Sequence, residues 1–492
     1  MRSLRFIALL ALSGQIAFGQ QVSSAARGTP LSLDDAITTA HRNNPTFLQI
    51  ENNLRTSESQ VRQAYAALLP SSNASFTTRY QQGGTQFVQG IALGGSSADS
   101  RQSSYSLGLN YSINGAVAFA PRSARANRDA AEADISNQAE ALRAQVTQQY
   151  ITALQSQAQA ALQDTLVQTA AGQLELANAK MKVGAGTILD VRTAEVAVGQ
   201  ATVAALTAHN QATVDKLKLF QFMGVAPDTA AELTTKFAVA EPRFSLDSLL
   251  DLARKVNPDV AARKSREFAS EMNVRSAKTQ YIPSLFLSTG WGGNSFEYVD
   301  PNLLVNQTAA SIAAQSRSCF AQDSIRTRVG LPALTCGSGQ LSSDQISAIR
   351  ASNNQFPFKF NRNPIGVSAT LSLPIFNNYQ RESQIEQAKV LRDNALYDVR
   401  NRNLQLTTEV TQAYLTLVTD ARTVQLQEQN AAKATEELAF AEESYKVGAK
   451  TFLDVTTARG TYEQALIARV NAIYEYHKAF AALEGAVGRP LR

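Results

Sequence analysis

From Gln380 to Val447 the chain contains neither glycine nor proline, and from Ser123 to Val183 the only interruption is Gly172. A continuous helix over the first run would reach about 100 Å at 1.5 Å per residue, roughly three times the width of a small domain. Such an element cannot be hidden in a globule, so the chain must build something elongated. Within the run, Val410, Ala413, Leu417, Ala421, Val424, Ala431, Ala434, Leu438, Ala441 and Tyr445 recur at steps of three, four or seven, apart from a polar slot at Gln427 and Glu428. This is coiled-coil spacing, and the many alanines allow a second helix to approach closely. A second stripe, Phe452, Val455, Tyr462, Leu466, Val470, Ile473, Phe480 and Leu483, follows the next turn. The long helix is therefore expected to fold back on its successor as an αα-hairpin.

The chain also repeats itself. Leu31-Ser32-Leu33-Asp34, Asn44-Pro45 and Leu69-Pro70 recur 213 residues later as Phe244-Ser245-Leu246-Asp247, Asn257-Pro258 and Ile282-Pro283. The block from Val183 to Val191 recurs 264 residues later between Val447 and Val455, and Gln148 and Tyr150 keep that offset with Gln412 and Tyr414. The second copy thus carries about 51 extra residues, within roughly 294 to 364. The reading is a first structural repeat over 20–230, with its hairpin tip at 183–191, and a second over 231–492, with its tip at 447–455. Each holds helices, two strands and a long helical hairpin. At the tips, Gly184 and Gly448 suit a left-handed helix end. Thr187 and Thr451 can cap the next helix, with Asp190 and Asp454 three positions on. Asn44-Pro45 and Asn257-Pro258 read as an N-cap followed by proline at the first helical position.

Residues 1–19 carry the marks of a secretory signal: Arg2 and Arg5, an apolar stretch from Phe6 to Leu12, and Ala17-Phe18-Gly19 at the cleavage point. Beyond it no apolar run is long enough for a membrane helix, so a membrane crossing would need strands. Four segments alternate with period two. They place Ala74, Phe76, Thr78 and Tyr80, then Tyr105, Leu107, Leu109, Tyr111 and Ile113, then Leu285, Leu287, Thr289 and Trp291, then Val367, Ala369, Leu371, Leu373 and Ile375 on apolar faces. A soluble sandwich sheet alternates in the same way. If the strands span lipid, four cannot close a barrel, because bacterial barrels start at about eight and lipid tolerates no open edge. Several chains would then have to pool them.

Other chemistries find little material. The net charge of +5 is too small at this length to argue for nucleic acid. Three histidines (His41, His209, His477) and two cysteines make a zinc centre improbable, and no nucleophile motif, phosphate loop or metal spacing suggests an enzyme or a bound cofactor. Cys319 and Cys336, 17 residues apart in the inserted segment, favour a loop-closing disulfide over a reactive thiol in an exported chain.

The duplicated Leu/Phe-Ser-Leu-Asp and Asn-Pro segments, the Leu-Ser-Leu-Pro-Ile-Phe run at 371–376 and the paired Val-Gly-x-x-Thr-x-x-Asp-Val turns resemble the TolC-type outer-membrane efflux protein family over roughly 30–490. The resemblance implies a mainly α chain with a membrane β-barrel. It implies a homotrimer in which three sets of four strands form one 12-stranded barrel in outer-membrane lipid, while long coiled-coil hairpins form a periplasmic tunnel. It implies docking to a periplasmic adaptor protein and an inner-membrane pump, as the passive exit duct of a tripartite efflux or type I secretion system. The 294–364 insertion would then be a long extracellular loop. Val183, Gly184, Thr187, Val447, Gly448 and Thr451 would form adaptor-contacting tips. Tyr445 and Lys450, reaching toward Asp190, would constrict the periplasmic entrance, and Asp454 would form an acidic ring on the axis. At the next family position, often acidic, this chain has Thr457. The competing reading is a non-channel helical spacer or adaptor of the envelope, which accounts for the hairpins but not for four amphipathic strands.

Overall fold

The structure, a computed structural model, describes residues 30–84, 87–88, 91–92, 98–228, 230–240 and 243–491. The expected signal over 1–19 lies outside them. The chain divides into two compact units. Of the described residues, the first comprises those within 30–58, 126–271 and 390–491, and the second those within 59–125 and 272–389.

In chain order the helices are α1 (Leu33–Asn43), α2 (Pro45–Ala66), α3 (Gly115–Lys182), α4 (Ile188–Met223), α5 (Leu246–Val256), α6 (Pro258–Lys278), α7 (Asn302–Arg328), α8 (Ser343–Asn353), α9 (Gln380–Lys446) and α10 (Phe452–Val487). The main sheet contains β1 (Ser71–Gln81), β2 (Ser100–Ile113), β3 (Ser284–Tyr298) and β4 (Gly366–Ser372). The two long helices have 68 and 67 residues. Each is followed by a shorter antiparallel candidate after a turn of a few residues, as the seam required. α3 begins at Gly115, eight residues before the expected Ser123, and carries Pro121 within its second turn. Among the described residues no helix is long and apolar enough to cross a membrane.

The first unit is held by three apolar clusters. One gathers Ala36, Ala40, Phe47, Leu142, Val146, Tyr150, Leu219 and Met223. A second gathers Leu249, Ala253, Val260, Leu406, Val410, Leu483 and Val487, with Tyr414 packed against it. These two sets are related residue for residue by the offsets of 213 and 264 found in the sequence motifs. The Asn-Pro pairs explain why. Asn44 Oδ1 accepts from the Phe47 N–H at 3.0 Å while its Nδ2 donates to the Phe222 carbonyl at 2.8 Å. Asn257 Oδ1 accepts from the Asp259 and Val260 N–H groups, and its Nδ2 donates to the Ala486 carbonyl at 2.9 Å. One amide therefore caps the start of α2 or α6 and the end of α4 or α10 together, satisfying orphan groups at two helix termini. The closing glycines, Gly224 and Gly488, sit at φ +70° and +88°. A Cβ on Gly224 would lie 2.4 Å from the Asn43 carbonyl oxygen. The third cluster lies at the hairpin tips and is described below.

The second unit contains the sheet, antiparallel in the order β1-β2-β3-β4, with the two-residue strand Asn361–Arg362 pairing β3 at Gly293 and Asn294 beyond the end of β4. Its register aligns Ala74 with Leu107 and Trp291, Leu109 with Thr289 and Val367, and Ile113 with Leu285 and Leu371. The apolar alternation thus stays in phase across all four strands, and along β4 this face is exposed: Val367 is 80% and Leu371 72% exposed. The opposite face is threaded by hydroxyl pairs, Ser75 with Ser106 at 2.8 Å and Ser288 with Ser368 at 2.6 Å. Phe286 also falls on that polar face, opposite Ser112 and Thr370. β1 and β4 are the outer strands, exposed along their whole length. The expected fourth strand ran to Ile375. The observed one stops at Ser372, opposite Ser284, because Pro283 and Pro374 bracket that last pair and neither can donate to a ladder.

The segment expected as a long loop at 294–364 is largely helical. Its first residues extend β3 to Tyr298, and α7 and α8 supply most of the rest. Cys319 on α7 is joined by a disulfide to Cys336 in the α7–α8 connection. The base of the insertion is clamped where the Tyr298 N–H donates to Asn353 Oδ1 at 2.9 Å and Asn353 Nδ2 donates back to the Tyr298 carbonyl at 2.8 Å. The returning segment crosses the apolar face of the sheet. There Phe360 meets Tyr105 edge-on at 4.8 Å and Phe358 stacks on Phe76.

Candidate functional site

The hairpin tips bring the sequence-derived residues together. α3 ends in a turn with Gly184 at φ +76°, and α9 in one with Gly448 at φ +81°. In both, the glycine N–H donates to the carbonyl three residues back and the next N–H reaches one carbonyl further, to Lys180 and Ser444 respectively. The left-handed residue thus satisfies the last orphan carbonyls, which only a residue without a Cβ does at no steric cost. Thr187 then caps α4 and Thr451 caps α10, each in a reciprocal capping box. The Thr187 N–H donates to Asp190 Oδ2 at 2.9 Å and the Asp190 N–H to Thr187 Oγ1 at 3.2 Å. The second box adds a hydroxyl bond, Thr451 Oγ1 donating to Asp454 Oδ2 at 2.8 Å. Together the Thr451 backbone and hydroxyl hold the Asp454 carboxyl below the usual carboxylate range, with Lys450 adding to the effect.

Above the turns, residues of both hairpins share one core: Ala177, Val191 and Ala194 from the first, with Leu438, Ala441, Tyr445, Phe452, Val455 and Ala458 from the second. Tyr445 is 4% exposed, and its ring lies 5.6 Å from that of Phe452. Burial, followed by the negative charge of Asp190, raises its phenol above the ordinary value. The Tyr445 hydroxyl is buried with no hydrogen-bond partner among the described residues. The structure therefore brings Tyr445 into the field of Asp190, and Lys450 into that of Asp454.

Sequence reasoning missed two sets of residues here. Lys180 Nζ stands 4.3 Å from the centre of the Tyr445 ring and donates to the Tyr445 carbonyl. About two turns above it on α3, Gln173 is 3% exposed and donates to Glu442 at 3.0 Å, while Arg459 donates to Gln173 at 3.5 Å and pairs with Glu463 at 3.2 Å. The heptad step from 173 to 180, with Ala177 between, could have marked this face of α3 as a contact seam. The second set is apolar and exposed. Ile188, Leu189 and Leu453 stand in solvent beside Val183 and Val447, forming an apolar surface on both tips. Contiguous exposed apolar groups mark interaction surfaces more often than scattered ones do.

Among the described residues no group of three His, Cys, Asp or Glu side chains could hold a metal ion.

Comparison with known proteins follows this geometry. The profile of the family described as outer membrane efflux protein matches residues 36–225 and 331–489, leaving α5, α6, β3 and α7 outside it. Comparison with curated protein sequences finds no match. Among solved structures, the chain is similar to the outer membrane protein VceC of Vibrio cholerae, with 17% identity, a TM-score of 0.67, and coverage of 94% of this chain and 97% of that one. It is similar to the CmeC outer membrane channel of Campylobacter jejuni at 16% identity and a TM-score of 0.68, covering 93% of this chain and 85% of the other. The open state of the MtrE outer membrane channel of Neisseria gonorrhoeae gives 17% identity, a TM-score of 0.66, and coverage of 94% and 89%. At these identities the likeness speaks to the fold.

Proposed function

We propose that this chain, which belongs to the outer membrane efflux protein family and is a transport conduit rather than an enzyme, acts as the trimeric exit duct of a tripartite efflux or type I secretion system. The observation that carries the reading is the sheet. Four strands share one apolar face and one face of hydroxyls, and β1 and β4 each leave an outer edge without a partner among the described residues. In lipid such edges are untenable, and three copies joined β1 to β4 would form a 12-stranded barrel with no edge left. The apolar face would meet outer-membrane lipid and the hydroxyl face the water-filled lumen.

The remaining expectations fit around that barrel. The matching cores at offsets of 213 and 264 support an internal duplication with repeats at 20–230 and 231–492. The paired hairpins would line a periplasmic tunnel. Exposed apolar groups at Val183, Leu189, Val447 and Leu453, held by Gly184, Thr187, Gly448 and Thr451, suit docking to a periplasmic adaptor, through which an inner-membrane pump supplies energy. Asp190, Tyr445, Lys450 and Asp454 would control the entrance, the buried Tyr445 hydroxyl being poised to gain a partner when the hairpins shift.

The test is reconstitution of the detergent-extracted protein. A heat-modifiable particle of three chains that conducts ions across a planar bilayer is the expected result. A water-soluble monomer with no conductance would refute the duct and favour an envelope spacer.

A further inference from the structure

The two tips share one turn design and differ at four positions, two of which move a cation. Position 180 on the first hairpin corresponds to Ser444 on the second, and position 186 to Lys450, at the offset of 264. The first tip thus carries its cation at the end of the helix and a glycine in the turn, whereas the second carries serine and then lysine. Glycine at 186 has a local reason. A Cβ there would sit 3.1 Å from the Lys180 Cβ and 3.1 Å from the Met181 nitrogen, so the turn folds directly onto the stem of Lys180. With its stem held, the ammonium reaches across to the other hairpin. It caps the Tyr445 carbonyl, which also receives the Gly448 N–H at 3.1 Å, and lies over the Tyr445 ring. A cation at a helix C-terminus is favoured by the orphan carbonyls and the macrodipole. Here the cation comes from a different helix from the one it caps. Lys180 therefore gains from α9 only while the hairpins are together.

We propose that Lys180 is the latch between the two hairpins of each chain, a positioning residue that holds Tyr445 and the end of α9 in the closed arrangement. Opening moves the hairpins apart, and Lys180 must leave both the carbonyl and the ring before the entrance can widen. Gln173 fastens the same face of α3 one heptad above through Glu442 and Arg459, so the separation pivots below that tie and the latch, nearest the tip, releases first. This inference rests on the reading of the tips as a gate.

The experiment is conductance of purified trimers in planar bilayers, with thermal dissociation of the trimer measured alongside. Lys180→Met keeps the stem and removes the charge. It should raise the leak roughly tenfold, the factor carried by one charge-assisted hydrogen bond, while the dissociation temperature stays put. Lys180→Arg should restore the tight state. Gly186→Ala, which keeps the ammonium but crowds its stem, should leak in the same direction and stands in for Lys180→Met should that variant not assemble. An unchanged leak in Lys180→Met, or an Arg variant as leaky as the Met variant, overturns the latch. The gate itself is read separately from Asp190→Ala with Tyr445→Phe. If that pair leaks and Lys180→Met does not, the gate stands and the latch falls. If only Lys180→Met leaks, the latch stands and the roles given to Asp190 and the Tyr445 hydroxyl fall.

Discussion

Leu109 and Asn110 are neighbours in one strand, and the proposed barrel assigns them to different solvents. Leu109 lies opposite Ser72 and Thr289, on the apolar face; Asn110 lies opposite Ser71 and Ser288, on the hydroxyl face. The apolar face of β2 runs from Tyr105 to Ile113, so Leu109 is its midpoint. At about 3.4 Å per residue that stretch is roughly 27 Å long. Tilted by about 40°, it rises about 21 Å, close to the apolar band of about 25 Å seen in outer-membrane barrels. A lysine at the midplane of such a band costs about 2–4 kcal/mol. Three copies in one barrel make the cost roughly 6–12 kcal/mol per trimer, at least about 10⁴ in the assembly equilibrium. Asn110→Lys instead enters the lumen. Its amide gives up a bond to Asn73 at 3.3 Å, and the ammonium stays in water, so the loss should be below about 1 kcal/mol per chain. The assay is the amount of heat-modifiable trimer in the membrane fraction. Leu109→Lys should abolish it and Asn110→Lys should leave it near the parent level. Equal yields, or a greater loss from Asn110→Lys, would refute the assignment of the two faces and with it the shared barrel.

Three further outcomes follow from single groups. Asn44→Ala and Asn257→Ala each remove a cap from two helices, and each should cost about 1–3 kcal/mol in chemical denaturation, with the loss local to its own core. Asp454 has its folded pKa depressed below 3.8 by the Thr451 cap, so its contribution is complete above 3.8 and disappears as pH falls through the lower folded value. Amide protection in the first turn of α10, taken relative to the intrinsic exchange rate at each pH, should therefore fall on acidification below about pH 4, and Asp454→Asn should flatten that dependence. Cys319→Ser with Cys336→Ser opens a link of sequence separation 17, and should speed proteolysis within 302–353 without lowering trimer yield; non-reducing peptide maps of the parent should recover the two cysteines as one linked pair.

What could be read in advance was whatever is decided over a few residues. The absence of glycine and proline from 380 to 446 leaves a helix no place to stop, and the seam from Val410 to Tyr445 is buried except at Ala413 and Ala421, which are half-buried. The caps at Thr187 and Thr451 are three-residue motifs and form as such. The faces of the strands follow from period two. The misses have equally physical sources. α3 starts early although Pro121, in its second turn, forfeits the bond its N–H would make to the Val117 carbonyl, so one proline near the start does not end so long a helix. The 302–328 stretch is rich in alanine, serine and glutamine, with few large apolar groups to announce a period, and its helix shows no fully buried residue. Lys180 and Tyr445 lie 265 residues apart, and their meeting depends on the rotation of two packed helices, which no local pattern encodes.

Comparing the tips at fixed offset separates their architecture from their working parts. Where the two agree, at Val183 and Val447, Gly184 and Gly448, Thr187 and Thr451, Asp190 and Asp454, the shared residues build the same turn twice. A position that only had to make the turn would show that agreement throughout. Four positions do not: Lys180 against Ser444, Met181 against Tyr445, Gly186 against Lys450, and Ile188 against Phe452. Their environments diverge with them. Phe452 is buried against Tyr445 while Ile188 stands exposed, and Lys180 crosses to the other hairpin while Lys450 acts on Asp454 in its own. The hairpins are thus alike in what shapes them and unlike in what joins them, which is the arrangement a gate needs if one hairpin is to move against the other. It follows that exchanging the two tips, residues 180–188 for 444–452, should preserve both turns and the trimer while leaving the entrance open. A swapped trimer that remains as tight as the parent would mean that these differences carry no gating role.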